Sequence, residues 1–194
     1  GMGPEASLEA YKKAIKYCQQ KYKAVQDNDY PTIIIYNLPL KDFDETGITN
    51  SKTVLTQLVS ACQKLKQIGC KKILIACNTV HHFYNQIQTQ IDVPIINLVE
   101  EVVTSAKNLG NKSELMCSES TNKLGLYHKY AYKHNLELIS PNKHQQEHLN
   151  QIILKSMQGT NNNQDSQQML NIAKKQQAFE ACNIILGCTE LPLF

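Results

Sequence analysis

Arginine is absent from this 194-residue chain, and so is tryptophan. Without a guanidinium there is no bidentate clamp for a carboxylate or phosphate. Any anionic ligand must be held by backbone amides, hydroxyls, side-chain amides or a lysine point charge. The 20 basic residues are therefore all lysines, set against 17 acidic ones for a formal charge of +3. They are scattered, with no basic stripe interleaved with aromatics, which argues against a nucleic-acid partner. No apolar run approaches the roughly 20 residues that cross a bilayer, and no charged-then-apolar leader opens the sequence. No membrane partner is expected, and a cytoplasmic location is. Nor do the seven cysteines contain a close Cys-x-x-Cys pair, so neither a disulfide framework nor a zinc ribbon is expected. Reduced thiols are the default, and Cys18, Cys62, Cys70, Cys117 and Cys182 read as packed, space-filling side chains.

What is present is an alternation of short Val/Ile-rich runs with longer amphipathic stretches, the pattern of strand-helix-strand units around a parallel sheet. Strands are predicted over residues 32–36, 72–76, 94–98, 114–117, 137–140 and 183–186. Helices are predicted over 7–24, 51–68, 79–90, 99–109, 124–134, 145–157 and 165–182, with apolar spacing of helical period as in Val54-Leu58-Ala61-Leu65-Ile68. The expected fold class is α/β, with two similar lobes, each a parallel sheet flanked by helices, and an active site in the cleft between them. Residues 1–98 would form the first lobe and 99–194 the second, with 108–111 a plausible hinge. The Asn/Gln-rich stretch 159–168 reads as a surface loop.

Two cysteines stand where an apolar run ends and a polar, helix-starting segment begins. One context is Lys72-Ile73-Leu74-Ile75-Ala76-Cys77-Asn78-Thr79 and the other Asn183-Ile184-Ile185-Leu186-Gly187-Cys188-Thr189-Glu190. Parallel sheets bind ligands beyond the carboxyl ends of their strands, where following helices present their amino ends. Helix-terminal N–H groups and partial positive charge would favour thiolate at both positions.

Ala76-Cys77-Asn78-Thr79-Val80-His81 and Gly187-Cys188-Thr189-Glu190-Leu191-Pro192 resemble the paired signatures of the aspartate/glutamate racemase family. Gly1-Met2-Gly3-Pro4-Glu5-Ala6-Ser7 is similar to that family's first glycine-rich turn, and Ser118-Glu119-Ser120-Thr121 to a loop opening its second lobe. These landmarks span nearly the whole chain in family order. The resemblance implies racemisation or epimerisation of an acidic amino acid, aspartate or glutamate, without metal, pyridoxal phosphate or nicotinamide, by a homodimer. Cys77 and Cys188 would exchange the α-proton from opposite faces, one thiolate as base and the other thiol as acid. Charge developing on the substrate carboxylate would be met by Asn78, Thr79, Thr189 and Glu190, with backbone amides from a nest at Met2-Gly3. Thr121 is the residue of its loop expected to donate to that carboxylate. Ser120 stands where the family more often has glycine and would stiffen that turn.

Other readings compete. Taken singly, each cysteine is more often a packed thiol. His81 and His82 follow Cys77 by about a turn, but a zinc site needs three or four ligands at characteristic spacing, so no metal is expected and His81 reads as a buttress of the first turn. Glu119 reads as a solvated cap. Lys41, after Asn37-Leu38-Pro39-Leu40, could face a distal carboxylate or lie in solvent. In the resembled family a strand precedes the first turn and a strand and helix follow the second, so these are expected to be missing here. Gly1 before Met2 also suits a cloning scar. The alternatives are a catalytically silent relative that binds without turnover, and an isomerase or decarboxylase of a small dicarboxylic acid.

Overall fold

A computed structural model describes residues 1–44, 47–177 and 180–193, without the side chains of 175–177. Helix α1 (Pro4–Tyr22) starts at a proline, whose fixed φ suits the first helical position, and ends at Lys23 in the left-handed region. A two-strand antiparallel pair follows, β1 (Phe43–Asp44) with β2 (Gly47–Ile48). Asn50 caps α2 (Ser51–Gln67) by accepting from the Thr53 N–H. Strand β3 (Ile73–Leu74) pairs in parallel with β4 (Ile95–Ile96), and α3 (Tyr84–Gln88) lies between them in sequence. Val54, Leu58, Ile73, Val80, Phe83, Ile87 and Ile95 form the core of this half.

Beyond β4, helix α4 (Leu98–Leu109) leads to the longest strand, β5 (Lys112–Cys117). Short α5 (Glu119–Lys123) and α6 (Leu126–Lys133) are separated by Gly125, at φ +60°. Strand β6 (Glu137–Ile139), α7 (Lys143–Met157), α8 (Asn163–Gln177) and β7 (Asn183–Gly187) complete the order. The second sheet is parallel, ordered β6-β5-β7. Because β5 is central, alternate residues enter different cores. Leu115 and Cys117 pack with Val99, Val103 and Tyr127, whereas Met116 packs with Leu149, Ile152, Ile153 and Ile172. The architecture is thus α/β, with parallel sheets flanked by helices. Among the described residues, no helix is long and apolar enough to cross a membrane.

Several elements differ from expectation. Residues 32–36 form no strand: among the described residues the backbone of 32–35 has no hydrogen-bond partner. Two hydrogen bonds tie the end of this segment to Gly1, whose amine donates to the Tyr36 carbonyl at 3.0 Å and whose carbonyl accepts from the Leu38 N–H at 2.8 Å. Behind it runs a groove of about 540 Å³, with Ile33, Ile34 and Ile35 on one wall and Ile73 and Leu74 on the other. The helix expected over 79–90 opens as a 3-10 turn, Thr79–Phe83. The one expected over 165–182 spans residues 178 and 179, which lie outside the described residues.

Glu114 is wholly buried on the Met116 face of β5, and neither carboxylate oxygen has a hydrogen-bond partner among the described residues. Desolvation pushes its pKa up to about 7 from an ordinary 4.5. The folded state thus holds a proton that the unfolded state releases, so stability is greatest below about 4.5 and falls as pH rises through about 7. Glu114→Gln is expected to gain stability over wild type at about pH 8, by about 1–3 kcal/mol, and to gain much less at about pH 5. Urea unfolding at the two pH values measures the difference.

Candidate active site

The first cysteine turn is held by a histidine. Cys77 leaves β3 through a tight turn in which its N–H donates to the Ile75 carbonyl at 2.9 Å. The buried His81 ring lies 2.7 Å from the Cys77 carbonyl through Nδ1, while its Nε2 accepts from the Leu98 N–H at 3.2 Å. An accepting Nε2 leaves Nδ1 as the protonated nitrogen, so the ring is neutral and clips the turn to the start of α4. Burial lowers its pKa from the ordinary 6.5. His82, by contrast, is exposed. Among the described residues no cluster of three or more His, Cys, Asp or Glu side chains could hold a metal ion.

The second cysteine turn rests on a glycine. A Cβ at Gly187 would meet Tyr127 Cε2 at 2.8 Å and Cys117 Cβ at 3.0 Å, so only glycine lets β7 pass this close to α6 and β5. Tyr127 uses the proximity: its hydroxyl donates to Asn78 Oδ1 at 2.6 Å, with both residues buried. Burial, then the neighbouring Cys117 and Cys188 thiols, raise the Tyr127 pKa far above the phenol range, so it is a donor at any working pH. With Oδ1 taken, Asn78 has its NH₂ group left to offer a ligand. A second link pairs Thr79 Oγ1 with Thr121 Oγ1 at 2.9 Å, and Ser118 Oγ donates to Thr121 Oγ1 at 3.1 Å.

Cys188 is buried, and its thiol donates to Glu190 Oε2 at 3.0 Å. The Thr189 hydroxyl donates to the same oxygen at 2.9 Å. The other oxygen, Oε1, lies 3.5 Å from where a Gly3 Cβ would be. Glu190 thus reaches from the end of β7 to the turn that starts α1.

A cavity of about 300 Å³ gathers these turns. Cys77, Asn78 and Thr79 line it from the first turn, Cys188, Thr189 and Glu190 from the second, and Met2 and Thr121 complete the set expected from sequence. Leu40 is also on its wall, and so are Phe43, Asp44 and Met157, the last three not anticipated. Tyr127 was missed because a tyrosine at helical spacing looks like any core aromatic. Lys41 is exposed and not on the wall, its backbone bonded to the Gln57 side chain. Glu119 is exposed to solvent and pairs with Lys123 and Asn150, but it is the first residue of α5 and the cap is Ser118, whose hydroxyl accepts from the Thr121 N–H. The cysteines do not stand at strong helix dipoles as expected. Cys77 precedes a 3-10 turn and a five-residue helix, and Cys188 precedes the 3-10 turn Leu191–Leu193. Individual N–H and hydroxyl groups must supply what a long helix would have.

Two cysteine turns at strand ends around one cavity, on parallel sheets flanked by helices, define a class. A family model described as Asp/Glu/hydantoin racemase matches residues 1–194, and the chain belongs to that family. Among individual relatives, it is 30% identical over 191 residues to the broad specificity amino-acid racemase RacX of Bacillus subtilis (strain 168), covering 98% of this chain and 83% of RacX. An aspartate racemase homologue from Pyrococcus horikoshii OT3 superposes with a TM-score of 0.81 at 29% identity, covering 98% of this chain and 83% of that one. The aspartate racemase of Picrophilus torridus shares the fold, with a TM-score of 0.79 at 22% identity and coverage of 100% and 80%.

Two outcomes follow from the buttresses. The unfolded His81 imidazole takes a proton near 6.5 and the folded one resists it, so stability is complete above about 6.5 and is lost as pH falls toward the lower folded value. A His81→Gln variant is expected to lose that acid-sensitive component, read as a flatter thermal midpoint between about pH 6.5 and pH 5. Gly187→Ala is expected to cost about 1–3 kcal/mol by overpacking against Tyr127, measured by urea unfolding.

Proposed function

We propose that this protein racemises an amino acid by two-thiol proton transfer at the α-carbon. The observation that carries the reading is that Cys77 and Cys188 line one small cavity with Asn78, Thr79, Thr121, Thr189 and Glu190. Residues 1–98 and 99–194 act as two lobes, each contributing one sulfur. The substrate's α-carboxylate is held by neutral donors, since arginine is absent. These are the Asn78 NH₂ oriented by Tyr127, the one hydroxyl of the Thr79–Thr121 pair whose proton is not used between them, and backbone N–H groups of both cysteine turns, with the Met2-Gly3 turn beside them. Such donors stabilise the charge that moves onto the carboxylate as the α-proton leaves.

The two thiols start unequal. Cys188 carries the proton it donates to Glu190. Cys77 is then the base at rest. Its thiolate takes the α-proton, the C–H electron pair spreads into the carboxylate, and the Cys188 S–H delivers its proton to the opposite face. One turnover leaves Cys77 as thiol and Cys188 as thiolate, ready for the other enantiomer, so no outside acid or base is consumed. Both sulfurs must reach one carbon from opposite faces, which a cavity with one cysteine turn from each lobe allows.

Family membership and the names of the relatives support amino-acid racemisation, and the motif resemblance points to aspartate or glutamate. A homodimer in the cytoplasm is the expected form, checked by sedimentation. The deciding experiment is α-proton loss in deuterated water followed by NMR, with L-aspartate, L-glutamate and a set of other L-amino acids. Exchange should occur with at least one of them and fall at least 100-fold, about 2.7 kcal/mol in barrier, in Cys77→Ser and Cys188→Ser. Undiminished exchange in both variants would dismiss the two-thiol reading.

A further inference from the structure

Helix α7 carries two histidines one turn apart, in the run His144-Gln145-Gln146-Glu147-His148. A spacing of i, i+4 puts both rings on one face of the helix. His144 is exposed and His148 half-buried, and the rings meet edge to face with centroids 4.4 Å apart at 68°. Their Nε2 atoms face one another at 3.3 Å. His81, His128 and His134 instead spend a ring nitrogen on the Cys77 carbonyl, the Ser140 hydroxyl and the Glu100 carboxylate.

A proton shared between the two Nε2 atoms is a weak link. Their 3.3 Å separation exceeds the roughly 2.7–3.2 Å of a good hydrogen bond, and such a bond uses only one of the two lone pairs. A divalent ion uses both. Placed about 2.0–2.1 Å from each nitrogen, as zinc is, it would see the 3.3 Å edge at roughly 104–111°, which brackets the tetrahedral angle. Imidazole also suits the harder and softer members of this ion class alike. The same helical spacing, with a glutamate just before the second histidine, presents two ligands to zinc in the H-x-x-E-H metal sites. Those sites take a third protein ligand. Among the described residues no third His, Cys, Asp or Glu joins this pair, so water fills the remaining positions and the chemistry is binding. The exposed charges beside the rings on α7 are Lys143 and Glu147, one of each sign, which leaves the imidazoles to decide affinity.

We propose that His144 and His148 form a two-histidine site for one divalent transition ion, zinc by its geometry, with water completing the shell. The site departs from the absence of metal expected from the sequence. The two nitrogens meet at this distance because 144–148 is helical, so the ion favours the folded chain and stabilises it. It fastens the start of α7, where Gln146 donates to the Cys117 carbonyl at 2.8 Å and Leu149 enters the core with Met116. Met157, which lines the cysteine cavity, is at the opposite end of the same helix. Zinc binding here is therefore separate from proton transfer between the cysteines.

The test titrates zinc chloride into the full chain and follows the ring nitrogens of all six histidines by ¹⁵N NMR. Zinc taken up by thiols does not enter this reading, because the signal comes from the rings themselves. The Nε2 resonances of His144 and His148 should move together with a single midpoint. His144→Gln should weaken zinc binding at His148 at least ten-fold, and His148→Gln should do the same at His144. Both side chains are on the surface of α7, so the variants fold, and zinc should raise the thermal midpoint of wild type more than that of the double variant. Separate midpoints for the two rings, movement of neither, or undiminished affinity at the ring left in a single variant overturns the proposal. An equal thermal response in wild type and double variant overturns the stabilising role.

Discussion

The hydrogen bond from Tyr127 to Asn78 is the contact on which the site depends. It joins α6 to the turn after β3, two parts of the chain 49 residues apart. It also sets which end of the Asn78 amide a ligand meets, and it is formed where water is excluded, so neither partner has an alternative without leaving a buried polar group unpaired. Gly187 is its silent third member, because any side chain there would push the phenol ring away. The residue before the second cysteine thereby governs the residue after the first. The Thr79–Thr121 contact repeats the same cross-connection with smaller groups.

A division of labour follows around the two sulfurs. His81 fixes the backbone of the Cys77 turn and takes no part in the cavity wall, while Glu190 touches the Cys188 thiol directly. One thiol is therefore positioned through its carbonyl and the other through its own proton. The two sequence contexts rhyme, yet their surroundings are not equivalent. The proposed two-thiol exchange needs only that the thiols alternate in protonation, not that they be identical.

Much of this could be read in the sequence, for identifiable reasons. Cys77 and Cys188 each end an apolar run, and a strand end is where a parallel sheet presents ligands, so their convergence followed from pattern. β5 and β7 were legible because strands buried on both faces are nearly continuous in apolar residues. Residues 32–36 are just as apolar, but a strand is a property of a pair, and composition cannot say whether a neighbour is present. Tyr127 and Asp44 were illegible for a related reason: one looks like core and the other like a hairpin residue until the chain is folded. The opening of the 79–90 helix as a 3-10 turn reflects the His81 contacts to Cys77 and Leu98, which no local propensity encodes.

The groove between Ile33–Ile35 and Ile73–Leu74 sets the colloidal behaviour of the molecule. Its lining sets Ile33, Ile34 and Ile35, whose backbone has no hydrogen-bond partner among the described residues, beside Ile73 and Leu74 of β3, which already pair with β4, and Ile34, Ile35 and Leu74 are each more than two-fifths exposed. Such a slot rewards any extended apolar segment that enters it with main-chain hydrogen bonds on either side. Raising the concentration of the chain would therefore favour contacts between copies through this slot.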